Sequence, residues 1–211
     1  MSANFNLSEK TAQFISVLFH PLFMPLYTVI LYFHLSSRYF LPQNIKFLVL
    51  YLAIVSILIP LLFFGLMFSA KFFSSVQLKN PRERLFFSTI MMVVYVIIFK
   101  KIVQHHQYIE LYPFFLGIIF SLWVLMIYNF LNKKPSLHAM AIGGSLAFFA
   151  IWSYYSQRNI LLYISLLILL ASCIIATRLF LKAHDWGEII RGFMIGIAMQ
   201  ILAFILAYHY L

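Results

Sequence analysis

Arg178, Lys182, His184, Asp185 and Glu188 fall within one short stretch, TRLFLKAHDWGE (Thr177 to Glu188), of a chain in which only 9% of residues are charged. His184 and Glu188 are four residues apart, so on a helix they share a face and can meet. A carboxylate that accepts a proton from one imidazole nitrogen fixes the tautomer and leaves the other nitrogen as a base or nucleophile. Arg178 lies across the expected helix end, and its planar guanidinium suits bidentate binding of phosphate. Lys182 reads as a side chain that snorkels to the membrane surface, and Asp185 as a helix cap or solvent contact.

Two further polar clusters carry compatible chemistry. In NKKPSLH (Asn132 to His138), Pro135 suits a helix start, so Ser136 and nearby backbone N–H groups could hold an anion at the positive helix end. His138 stands at the same rim and is a candidate to protonate a leaving group. KNPRER (Lys79 to Arg84) supplies Lys79, Arg82 and Arg84 with one acid, Glu83, and is the least specific of the three, since basic residues that set topology look the same. Together these clusters offer anion-binding cations, a paired nucleophile candidate and an acid candidate. That inventory suits phosphoryl transfer, where positioning and charge stabilisation carry most of the catalysis.

The elements that must position these residues are membrane spans. The chain has 211 residues, is 64% hydrophobic and has a mean hydropathy of +0.97, and its apolar runs exceed the roughly 18 residues that mark a membrane-spanning helix. The fold class expected is all-α: a polytopic transmembrane helical bundle forming one integral membrane domain over residues 1–211, with motif regions 79–84, 135–138 and 177–188. Polar breaks give seven candidate helices near 12–36, 45–73, 85–103, 111–131, 137–155, 160–177 and 187–208, or six spans if one segment is re-entrant. The intervals from the first cluster to the second and from the second to the third each have room for two crossings. All three clusters are therefore expected on one membrane face.

Other classes fit less well. The net charge of +10 is scattered between spans, which offers nucleic acid no continuous basic groove. A metal site built from His184, Glu188, His138 or the His105–His106 pair is opposed by the surrounding Arg and Lys, and parity puts His105 and His106 on the other face. A transporter would gather ionisable groups near the bilayer midplane, whereas these sit at helix ends. His20 and Pro21 are read as a kink or a satisfied polar contact within a retained first span, and Cys173, alone in an apolar run, as structural.

These residues resemble the type 2 phosphatidic acid phosphatase superfamily, whose three motifs are KxxxxxxRP, PSGH and SRxxxxxHxxxD. The third is matched by Thr177, Arg178, His184 and Glu188 with the spacing intact and two conservative replacements. The second is matched by Pro135, Ser136, Leu137 and His138, with Leu in place of Gly. The first is short: Lys79 and Arg84 stand in the right region without the family's spacing or its final Pro.

The resemblance implies that His184 attacks phosphorus to form a phosphohistidine, assisted by Glu188, and that His138 protonates the leaving oxygen. It assigns phosphate binding to Arg178, Ser136, Lys79 and Arg84, with no metal or cofactor. The implied substrate is a lipid phosphate or diphosphate of the phosphatidic acid, phosphatidylglycerol phosphate or polyprenyl diphosphate class, at a bacterial inner membrane. The alternative is a catalytically silent member of the same fold that binds anionic lipid or a protein partner.

Overall fold

A computed structural model describes residues 9–75, 78 and 80–207. The regular structure among the described residues is all helical: α1 (Glu9–Leu18), α2 (Met24–Leu35), α3 (Pro42–Leu52), α4 (Ile59–Ser69), α5 (Pro81–Val103), α6 (Tyr112–Phe130), α7 (Leu137–Tyr155), α8 (Leu161–Phe180) and α9 (Trp186–Ala207). A wide π-helical stretch, Ala53–Leu58, joins α3 to α4 in one rod. It precedes Pro60, which has no N–H for the helical ladder and crowds the preceding turn, so the widened backbone absorbs a residue that would otherwise break the span.

Among the described residues six helices are long and apolar enough to cross a membrane: Pro42–Ser69, Pro81–Val103, His106–Phe130, Leu137–Tyr155, Leu161–Phe180 and Trp186–Ala207. The chain is an integral membrane protein. The segment expected to form a single first span, 12–36, is instead two short helices, α1 and α2, separated by a turn from Phe19 to Phe23. Pro21 lies within that turn and Pro25 in the first turn of α2, so the break is local chemistry.

The core of the bundle is α9 packed on α7 and α6, with α5 on α6; α1 lies against α8 and α2 against α7. Apolar side chains gain little by leaving lipid for protein, so close approach and buried polar contacts must hold such helices together. Gly192 and Gly196 supply the approach: a Cβ on Gly192 would stand 2.9 Å from the Ser136 nitrogen, and one on Gly196 would stand 2.8 Å from the Gly144 nitrogen. Gln200, buried on α9, donates to the Pro113 carbonyl at 2.9 Å, and the Thr28 and Ser145 hydroxyls meet at 2.8 Å between α2 and α7. Contacts of this kind contribute about 0.6–2 kcal/mol each in a membrane.

One device ends four of the helices. Lys71, Asn132, Gln157 and Lys182 all adopt positive φ, and in each case two backbone bonds close the last turn. After α8 these are Lys182 N to Leu179 O (2.9 Å) and Ala183 N to Arg178 O (3.1 Å), and after α6 they are Asn132 N to Asn129 O (3.1 Å) and Lys133 N to Tyr128 O (2.9 Å). This paired closure satisfies terminal carbonyls and reverses the chain tightly. It folds the polar segments 131–136 and 181–185 back over the same end of the bundle.

Candidate active site at the polar end of the bundle

His184 lies in the turn between α8 and α9, outside the spans, and Glu188 is in the first turn of α9. His184 Nδ1–H donates to Glu188 Oε2 at 2.7 Å, which puts a proton on Nδ1, so in the neutral ring Nε2 keeps its lone pair. Asp185 is the cap of the same turn, its Oδ1 accepting from the Glu188 N–H at 2.7 Å. Burial holds the His184 imidazole below its ordinary value of 6.5. Its hydrogen bond to Glu188 opposes that shift, while the charges of Lys134 and Arg178 reinforce it. The ring is therefore neutral near pH 7, the state a nitrogen nucleophile requires.

The second cluster is joined to the third by the backbone. Ser136 N–H donates to the Glu188 carbonyl at 2.9 Å, and Gly192, one turn further along α9, lets α9 approach closely enough for this bond. Ser136 is fully buried, and its hydroxyl caps α7 by accepting from the Ala139 N–H. The Ser136 amide, expected to face an anion, is thus occupied by protein. His138 is buried in the first turn of α7, with its Nε2 3.1 Å from the Ser16 carbonyl.

Arg178 ends α8 and donates from Nη1 to the Ser16 hydroxyl at 2.6 Å, while its Nε is buried without a hydrogen-bond partner among the described residues. Arg84, in the first turn of α5, contacts Asn129 Oδ1 from its Nε at 3.4 Å and lies within electrostatic reach of Glu188. Arg82 is exposed, with its N–H held by the Asn80 cap. Lys182 is exposed at the helix end. Lys79 lies outside the described residues. His184, Glu188, His138, Arg178, Ser136 and Arg84 are thus brought to one end of the bundle, and His105 and His106 lie at the other, between α5 and α6. Among the described residues no three His, Cys, Asp or Glu side chains gather closely enough to hold a metal ion.

A family model described as the PAP2 superfamily matches residues 85–210. The chain belongs to the PAP2 superfamily. The match spans more than half of the chain and contains the second and third motifs, whereas Lys79 and Arg84 precede it. No curated protein and no solved structure gives a significant match. Membership supports a phosphatase-type membrane protein at a coarse level.

Sequence reasoning missed three residues that the fold places here. Ser16 contacts both Arg178 and His138, His20 packs its ring edge-on to His138 with centroids 5.5 Å apart, and Lys134 acts on His184. Ser16 carries no sequence signal, because α1 lies far from the motifs along the chain. His20 carried a weak one, as a polar residue beside proline in an apolar run. Lys134 adjoins Pro135 and is hidden by its resemblance to a topogenic lysine.

Proposed function

We propose that this chain hydrolyses a lipid phosphate or diphosphate at the surface of a bacterial inner membrane, through His184. The observation that carries the reading is the 2.7 Å bond from His184 Nδ1 to Glu188, which leaves Nε2 as the free nucleophilic nitrogen within a cluster of cations. Nε2 would form a bond to phosphorus as the bond from phosphorus to the leaving oxygen breaks. His138, carrying a proton on both ring nitrogens once the phosphate dianion lies beside it, would give its Nε2 proton to that oxygen and become neutral. A water molecule would then attack the phosphohistidine, pass a proton to His138, and release phosphate and free His184. Arg178 and Arg84 would hold the phosphoryl oxygens as charge spreads over them. Ser136 would act by orienting the α7 terminus against Glu188, since its amide is already bonded there.

A lipid substrate fits the surroundings. An apolar groove of about 420 Å³ is lined by Leu18, Phe19, Tyr27, Leu31, Leu167 and Leu170. Leu18 and Phe19 immediately precede His20, which packs on His138. A tail in this groove would leave its headgroup beside the cations.

The test is phosphate release by purified protein from phosphatidic acid, phosphatidylglycerol phosphate and polyprenyl diphosphate, each with and without EDTA, beside His184→Ala. The expected outcome is EDTA-insensitive release from at least one substrate by the wild type and none by the variant. Equal inertness of both proteins on all three would remove the enzyme reading and leave a silent member that binds anionic lipid or a partner.

A further inference from the structure

Ser16 meets the site through two groups at once. Its hydroxyl accepts from Arg178 Nη1 at 2.6 Å, and its backbone carbonyl lies 3.1 Å from His138 Nε2. A carbonyl oxygen can only accept, so this contact places a proton on His138 Nε2. In the mechanism above, Arg178 binds a phosphoryl oxygen and the His138 Nε2 proton goes to the leaving oxygen. Ser16 presents one oxygen to each of these groups, in the places where a phosphate monoester would present two of its own.

We propose that α1 is an intramolecular lid, and that Ser16 is an internal stand-in for the phosphate ester which substrate must displace. The inference rests on the assignment of Arg178 and His138 to the phosphoryl site.

The construction of α1 fits a movable cover. It is a short helix of 10 residues held mainly against α8. It buries one residue, Ala12, and exposes Phe14, Val17 and Leu18, a face suited to the boundary between headgroups and acyl chains. Isolated helices of this length are marginal in water, so docking and the membrane surface must hold it in place. The turn at Phe19 to Phe23 separates it from α2, and Tyr27 ties the end of α1 through a 3.1 Å bond from its hydroxyl to the Leu18 carbonyl. The pivot is therefore anchored while the Ser16 contacts are free to exchange. All of α1 lies before the region matched by the family model.

The test uses the full-length protein in nanodiscs with orthovanadate as the phosphoryl analogue. A spin label on Phe14→Cys, in a Cys173→Ser background, reports the mobility of α1, and calorimetry on the same samples reports binding. Vanadate is expected to mobilise the label with the same half-saturation as it binds. Ser16→Ala should lower that half-saturation by about ten- to a hundredfold, the worth of one competing hydrogen bond to a charged group. Arg178→Ala should abolish both signals. Vanadate binding that leaves the label unmoved, with no shift in Ser16→Ala, would overturn the lid while leaving the anion site standing. Failure of vanadate to bind the wild type at all would overturn both.

Discussion

The two ends of the bundle both gather charge inside a largely apolar protein, but they finish it differently. At the end away from the motifs, Glu110 is saturated. Its Oε1 pairs with Arg38 Nε at 2.8 Å, and its Oε2 accepts from the Tyr32 hydroxyl at 3.0 Å and from Trp152 Nε1 at 2.9 Å. Nearby, Arg158 Nη1 donates to the Leu35 carbonyl. These charged groups are spent on tying α2, α7 and the loops together. At the motif end the nitrogens Arg178 Nε and Arg191 Nε, and one carboxylate oxygen, Glu83 Oε2, are buried without partners among the described residues. A charge cluster whose valences are closed holds a fold; one left open keeps donors that water or an anion can take.

Exchanging the two ends by mutation should separate activity from stability. His184→Ala should lower kcat by at least about 10⁴-fold with little change in thermal midpoint, measured by phosphate release and by thermal unfolding in detergent. Arg178→Ala should lower kcat/KM by about 10²- to 10³-fold, and Arg178→Lys should recover only part of it, because an ammonium cannot fork across two phosphoryl oxygens. Glu110→Ala should do the reverse. It strands the Tyr32 and Trp152 donors, costing on the order of 2 kcal/mol of stability, while an enzyme assay below the unfolding temperature should change little. If Glu110→Ala abolished turnover with the fold intact, the division between the two ends would be wrong.

Gly192→Ala probes the joint between the motifs. The added methyl would be forced against the Ser136 backbone, at a cost of about 1–3 kcal/mol, and should loosen the Ser136–Glu188 bond and lower activity together with stability.

The smallest effect is on pH dependence. Because burial lowers the His184 pKa, the acid limb of kcat/KM should lie below 6.5. Lys134→Met removes a charge that lowers the pKa and should move the limb upward. Glu188→Gln removes a charge that raises it and should move the limb downward, with a lower rate. The linkage has the matching sign. Between the folded pKa and 6.5 the unfolded chain binds more protons, so the contribution of His184 to stability is complete above 6.5 and is lost as pH falls through that window. An acid limb in the wild type above 6.5 would contradict the buried, neutral imidazole.

Much of this site is legible in the sequence because its strongest links are local. The His184–Glu188 contact follows from a spacing of four, and the gathering of the three clusters follows from span parity. The all-helical class follows from the long apolar runs. What could not be read depends on tertiary contact or on backbone shape that the residue type conceals. The helix ends at Asn132 and Lys182 use positive φ without glycine, so no glycine marks the turns that deliver Lys134 and His184. The expected single span at 12–36 reads as one apolar run, yet Pro21 and Pro25 divide it and allow α1 to fold onto α8. Ser16 reaches Arg178 from the far end of the chain, and no local pattern announces such a pairing. The anion role expected of the Ser136 amide is displaced by a backbone bond to Glu188, which exists only because Gly192 admits a close approach.

The most direct measurement is to quench the purified protein in alkali during turnover of a radiolabelled lipid phosphate and locate the label by mass spectrometry. The geometry predicts acid-labile phosphate on His184, bonded at Nε2 because Nδ1 is held by Glu188. Phosphate release with no phosphohistidine, or with label on any other residue, would contradict the assignment of His184 as nucleophile.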